Sequence, residues 1–249
     1  MEENGKKEIL EVLYQDEYLI AVNKPSGLLV HKSPIDKHET RFALQIVRDQ
    51  IGQYVYPIHR LDKPTSGVLL FALNQETAQA FSKMFEDGSV AKTYVAITRG
   101  HTPEFGLIDH PLSQMLDTKE QKLAGITKEA QDAQTEFQRV AAVTLPILVD
   151  KYPTTRYSLV KLNPKTGRKH QLRRHLKHIS HHIVGDTKHG RGEHNKFFRE
   201  QFEINRLLLH AIEVNFVHPI LEKELTIQAP FDNDFKRIFG EFGWERGII

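Results

Sequence analysis

The chain has 249 residues, enough for one large domain or two small ones, with a formal net charge of +2 and no cysteine. The missing thiol excludes disulfides, thiolate catalysis, thiolate zinc sites and iron–sulfur clusters, and it fits the cytoplasm. Apolar runs reach about seven residues, far short of the roughly 20 of a membrane helix, and the polar start MEENGKKEILEV does not read as a signal peptide.

Residues 9–14 and 18–23 (ILEVLY, YLIAVN) read as strands joined by polar Gln15-Asp16-Glu17. Lys24-Pro25-Ser26-Gly27 is a turn signal, because Pro presets φ and Gly permits φ > 0. Leu28-Leu29-Val30 resumes an extended run, and 39–51 places apolar side chains at 42, 43, 46, 47 and 51, the spacing of one helix face. Gly67–Leu73 reads as a central strand buried on both faces. Asn74 then predicts the N-cap of a helix through about Phe85, with Asp87-Gly88 as its stop.

Lys92–Thr98 is the next strand, and from Arg99 to about Gln131 the polar, poorly periodic chain predicts an insertion or long loop. Strands follow at 134–143, 155–162, 207–217 and 224–229. A helix is expected over Gly167–Ile179, and a last one over about 233–242 turns Phe235, Ile238, Phe239 and Phe242 inward. Strands outnumber helices without alternating strictly with them. The expected class is α+β, a mixed, mostly antiparallel central sheet flanked by helices and loops, in a single domain over 1–249.

Charge is unevenly spread. Between Lys165 and Arg191 stand eight Lys or Arg, six His and one acid, Asp186. Such a one-sided run is what a nucleic-acid face looks like, whereas mixed runs are usually solvated helix faces. A Gly167 turn feeding a helix would offer backbone N–H groups and the cations Arg168, Lys169, Arg173 and Arg174 to phosphates. His175, His178, His181 and His182 invite a metal reading, but no H-E-x-x-H pattern occurs and the cationic neighbours disfavour a dication.

Asp62 is the odd residue of YPIHRLDKPTSGVLLFALN (56–74): a lone acid among cations, in a turn, at the mouth of a buried strand. An Asp before X-Pro commonly caps its own turn. The other reading is a carboxylate kept ionised by a facing guanidinium and positioned to act as nucleophile or base. Tyr94 in KTYVAI and His210 in LLLHA read locally as core residues, although a tyrosine also stacks on a flipped base.

Taken together, the segments resemble the pseudouridine synthases, in the branch whose catalytic motif is H-R-L-D. His59-Arg60-Leu61-Asp62 with Thr65-Ser66-Gly67-Val68 matches that motif, and NKPSGLLVH (23–31), KTYVAI (92–97), TGRKHQLRRHL (166–176), VGDTKHG (184–190) and LLLHA (207–211) match the others in order. The resemblance runs from about residue 9 to 230. It implies the family's catalytic fold, with Asp62 as the catalytic aspartate, Tyr94 as the active-site tyrosine and Arg173 as the cation that pairs with the aspartate. His59, Arg60, Arg168, Lys169, His170 and Arg174 are the implied RNA-binding residues.

The implied reaction is isomerisation of uridine to pseudouridine in RNA, without metal or other cofactor. Within the branch the wording is most similar to tRNA-acting members, which implies position 65 in the acceptor arm of certain tRNAs. RNA is the expected partner, with no membrane, no obligate protein partner and a monomer as the default. The early start of the motifs leaves no place for an N-terminal RNA-binding module. His182, where the family pattern has proline, and the charged turn in VHPILEKELTIQAP depart from the pattern without touching the three catalytic positions. Rival readings are a ribosomal-RNA target, a non-catalytic RNA-binding protein on the same fold, and a His-dependent metallohydrolase.

Overall fold

A computed structural model describes residues 8–32, 38–115 and 129–244. In chain order the elements begin with β1 (Glu11–Gln15), β2 (Leu19–Lys24), α1 (Ala43–Ile51), β3 (Tyr56–Pro57), β4 (Ser66–Ala72) and α2 (Gln75–Asp87). There follow β5 (Ala91–Arg99), β6 (Phe105–Asp109), β7 (Leu112–Ser113), β8 (Ala130–Gln131), β9 (Gln134–Leu145) and β10 (Thr155–Pro164). The last are α3 (Gln171–His178), α4 (Gly192–Phe202), β11 (Leu209–Val217), β12 (Glu224–Gln228) and α5 (Asn233–Glu241). The chain divides into two compact units, Met1–Val90 with Glu213–Pro230 and Ala91–Ile212 with Phe231–Ile249.

In the first unit β2 pairs antiparallel with β1 and with β4, β3 pairs with the end of β4, and β12 pairs with the Glu213–Val217 half of β11. Every residue of β4 is buried, which explains its unbroken apolar run: a strand covered on both faces has no polar side to alternate with. Leu19, Ala21, Val68, Leu70 and Ala72 pack with Phe81 of α2 and with Phe216 and Ile227. Helix α2 begins where Asn74 Oδ1 accepts the Thr77 N–H at 2.8 Å, and it ends on Gly88, whose φ of 81° gives the left-handed stop.

In the second unit the antiparallel order is β6–β9–β10–β5. The two-residue period of β5 and β10 sorts their side chains between two cores. Ala96, Val160 and Leu162 meet Leu172 and Leu176 of α3, whereas Val95, Ile97, Tyr157 and Leu159 meet Phe198 of α4 and Phe235, Ile238 and Phe239 of α5. Every ladder whose register is given is antiparallel, and the isolated bridge Leu29–Phe42 is parallel. The class is α+β with mostly antiparallel sheet, as the sequence implies.

Three expectations need correction. The stretch expected to be an insertion or loop carries β6, which pairs with β9, and a short β7–β8 ladder; its part at 116–128 lies outside the described residues. Strand β6 escapes pattern reading because Phe105 and Leu107 face solvent while the buried side chain is Ile108. Helix α3 starts at Gln171 rather than Gly167, since 166–170 form a turn closed on the Gln171 side chain. Helix α4 goes unannounced in sequence: its first turn holds a buried histidine, His194, where an apolar residue would mark the face of Phe198 and Phe202.

Candidate active site

In the first unit two turns are tied together by backbone. Lys24 is buried, and its Nζ donates to the carbonyls of Leu28 at 2.8 Å, Pro25 at 2.9 Å and Lys63 at 3.2 Å. The Gly27 N–H also reaches the Lys63 carbonyl, at 2.9 Å, and the Ser26 hydroxyl donates to the Pro64 carbonyl at 2.7 Å. The turn that carries Asp62 is closed by the Thr65 N–H on the Asp62 backbone carbonyl at 3.0 Å. This closing hydrogen bond runs from main chain to main chain. Asp62 itself is half-buried between buried Leu61 and Thr65.

The flanking residues have separate roles. Arg60 is exposed. Its charge, after burial, lowers the pKa of His31, so that ring is neutral at pH 7. His59 Nε2 accepts the Leu70 N–H at 3.1 Å, and its ring stacks on Phe85 at 5.0 Å. That places a ring of the H-R-L-D stretch as a peg holding β4 and α2 in register.

In the second unit Tyr94 lies on β5 opposite Leu162, half-buried against the core of Ala96 and Leu162. Arg173, on α3, is 5% exposed, and its Nε and Nη2 donate to the Oδ2 and Oδ1 of Asp186 at 2.7 and 2.8 Å. Asp186 is 2% exposed, and its Oδ1 also accepts the N–H groups of Lys188 at 2.9 Å and His189 at 2.8 Å. Burial alone would raise the Asp186 pKa. The Arg173 hydrogen bonds and charge, with the two backbone donors, overcome that and hold it below the usual carboxylate range. The guanidinium is thereby locked in one orientation by a charge-assisted fork.

The glycines of VGDTKHG follow from this arrangement. A Cβ on Gly190 would stand 2.2 Å from the Asp186 carbonyl oxygen, and one on Gly185, whose φ is +78°, would stand 1.7 Å from the Arg206 carbonyl oxygen. Only a residue without a side chain lets the loop close around Asp186.

Around α3 the other cations are spread. Arg168 is exposed and donates from Nε to the Asp132 carbonyl at 3.0 Å; Arg174 donates to the Ser113 carbonyl at 3.0 Å. Lys169 and His170 are half-buried, and His170 Nδ1 lies 3.0 Å from His189 Nε2. The structure thus groups His59, Arg60 and Asp62 in one turn, and Arg168, Lys169, His170, Arg173 and Arg174 at the start of one helix.

The four histidines weighed as metal ligands do different work. His175 is buried between Thr135 Oγ1 at 2.9 Å and the His110 carbonyl at 3.1 Å, His178 stacks on His110, His181 Nδ1 meets the Arg99 carbonyl at 3.0 Å, and the His182 carbonyl accepts the Arg99 N–H at 2.9 Å. Among the described residues no three His, Asp or Glu side chains converge as metal ligands would.

Three residues of consequence lie inside the matched motifs, yet their roles are not legible in sequence. Lys24 looks like the polar end of a strand, and Asp186 like the one acid of a basic run. Gln171, which accepts from Thr166 and the Arg168 N–H and donates to the Gln134 carbonyl and Thr135, looks like a surface glutamine.

Residues 18–178 match a family model described as RNA pseudouridylate synthase, a span that holds Asp62, Tyr94 and Arg173. The tRNA pseudouridine synthase C of Vibrio vulnificus is 55% identical over 241 residues, 97% of this chain and 98% of the relative. That of Vibrio parahaemolyticus is 52% identical over 240 residues, 96% of this chain and 98% of the relative. Among solved structures, Human RNA Pseudouridylate Synthase Domain Containing 4 has a TM-score of 0.68 at 27% identity, over 95% of this chain and 94% of that one.

Proposed function

The chain belongs to the RNA pseudouridylate synthase family, and from that premise we propose that it isomerises uridine to pseudouridine in tRNA, at position 65 of the acceptor arm, in the cytoplasm. The target nucleotide leaves its stack, at a cost of a few kcal/mol, to react. Asp62 supplies the carboxylate that assists cleavage of the bond between N1 and C1′. The base rotates, C5 bonds to C1′, the C5 proton leaves and N1 takes up a proton, so atoms balance across the isomerisation. Tyr94 stacks on the uracil, and Arg173 is the cation of the catalytic set. His59, Arg60, Arg168, Lys169, His170 and Arg174 serve the RNA around the target.

The tRNA target is supported by the relatives, tRNA pseudouridine synthases C that match nearly the whole chain at about half identity. The catalytic assignment is carried by one observation: the Asp62 turn is built from main-chain bonds and anchored by the buried Lys24 ammonium. A chain that invests a buried cation in holding one turn fixes the side chain it displays, as positioned catalytic groups require.

The test is release of tritium from 5-tritiated uridine in unmodified tRNA and ribosomal RNA transcripts. The expected outcome is release from tRNA alone, lowered about 10²–10⁴-fold in Asp62→Asn, the scale of removing an acid–base group. Full turnover by Asp62→Asn would overturn the catalytic assignment, and release from ribosomal RNA alone would overturn the target.

A further inference from the structure

A cavity of about 590 Å³ opens in the second unit between the end of β5, the approach to β10, the residues after α3 and the first turn of α4. That volume is within the roughly 300–1,000 Å³ of small-ligand sites. It is not the surroundings of Tyr94. Arg99, on its wall, is five residues further along β5, an odd spacing that puts the two side chains on opposite faces of the strand, about 16 Å apart along it.

The wall is built around Arg99. Its Nε donates to His194 Nε2 at 2.8 Å, and His194 Nδ1 lies 2.8 Å from the Tyr157 hydroxyl, so a buried imidazole aims the guanidinium. Burial, then the charge of Arg99, lowers the His194 pKa to about 4, and the ring serves as a neutral acceptor. Asp150 Oδ2 stands 3.5 Å from Arg99 Nη2, an ion pair looser than a hydrogen bond in the usual range. Arg156 and Tyr152 line the cavity from exposed positions, and Lys151 Nζ sits 5.1 Å from the Tyr152 ring centroid.

Two arginines against one carboxylate in the lining, beside a solvent-facing aromatic ring, form the chemistry that takes a phosphate and an unstacked base together. We propose that this cavity is a second, non-catalytic RNA contact, which receives one unpaired nucleotide with its phosphate on Arg99 and Arg156 and its base against Tyr152. The proposal rests on the reading of RNA as substrate. It adds affinity at a distance from the reacting uridine and leaves the chemistry to the first site.

The test measures binding of unmodified tRNA transcript across a series of salt concentrations, for the wild type, Arg156→Ala, Tyr152→Ala and Lys196→Ala. Lys196 is exposed on α4 outside the cavity lining, and Arg156 and Tyr152 are exposed too, so all three variants keep the core intact. Arg156→Ala is expected to weaken binding several-fold and to flatten the slope of log K against log salt by about 0.7–0.9, one phosphate contact. Tyr152→Ala is expected to weaken binding about tenfold, within the range for one stacked base, and Lys196→Ala to leave it unchanged.

Equal weakening by Lys196→Ala, or no weakening by the cavity variants, overturns the proposal while leaving the enzyme assignment standing. Failure of the wild type to bind RNA overturns both. Titration with uridine and adenosine monophosphates separates the sources: tight mononucleotide binding with unchanged RNA affinity in the variants would make this a free-nucleotide site and sink the RNA contact.

Discussion

Lys24 is a charge placed among carbonyls. Replacing it with Met removes the donor to the Leu28 and Pro25 carbonyls, at about 1–3 kcal/mol for each one left buried and unpaired, while the Lys63 carbonyl keeps the Gly27 N–H. Urea denaturation of Lys24→Met is expected to show a loss of about 2–4 kcal/mol. Arg173 and Asp186 are a buried pair, and Asp186→Ala breaks the fork on a buried guanidinium, with an expected loss of about 3–5 kcal/mol by the same measurement. An unchanged midpoint for either variant would remove its structural argument. Asp62 is legible in sequence because its neighbours form an ordered motif. Lys24, Gln171 and Asp186 are not, because their partners are main-chain groups and side chains far along the chain that only the tertiary fold brings near.

Elements announce themselves when local chemistry and burial agree. Helix α2 has both a cap and a left-handed glycine stop, and its expected start at Asn74 and stop at Asp87-Gly88 are where they occur. Asn74→Ala removes the side-chain acceptor for the Thr77 N–H and is expected to lower stability by about 1 kcal/mol in thermal or urea unfolding, whereas Asn74→Asp keeps the acceptor and most of the stability. Helix α4 shows the opposite case. Arg191 precedes it without a side-chain cap, its first turn holds Glu193 and His194, and its inward ring is an imidazole bonded to Arg99 and Tyr157. Its helicity is set by the pocket it builds and the phenylalanines it docks, neither of which is visible one residue at a time. Strand β6 was hidden for a related reason, since its apolar residues at 105 and 107 face water.

Across the molecule, buried imidazoles set the acid limit. Burial lowers the pKa values of His175, His182, His189, His194 and His218 below 6.5, to about 4 for His194. Each is neutral when folded and takes a proton at about 6.5 when unfolded, so the unfolded state binds more protons in that window. Stability is therefore fully present above about pH 6.5 and falls as pH drops toward 4, with His194 alone worth on the order of 3 kcal/mol. Melting temperature measured from pH 8 to 4 is expected to fall through this window, and less steeply in His194→Gln; a flat profile would refute the linkage. The split of the chain carries another consequence. The first unit needs Glu213–Pro230, and the second needs Phe231 onward, so neither can close before most of the protein has been made. At about 5–20 residues per second, a ribosome takes on the order of 7–30 s to travel from Val90 to Pro230. During that interval the buried strand β4 and its partner β2 are without β12 and the end of β11. The nascent chain therefore waits half-built, its most apolar strand without part of its cover, until Pro230 has been made.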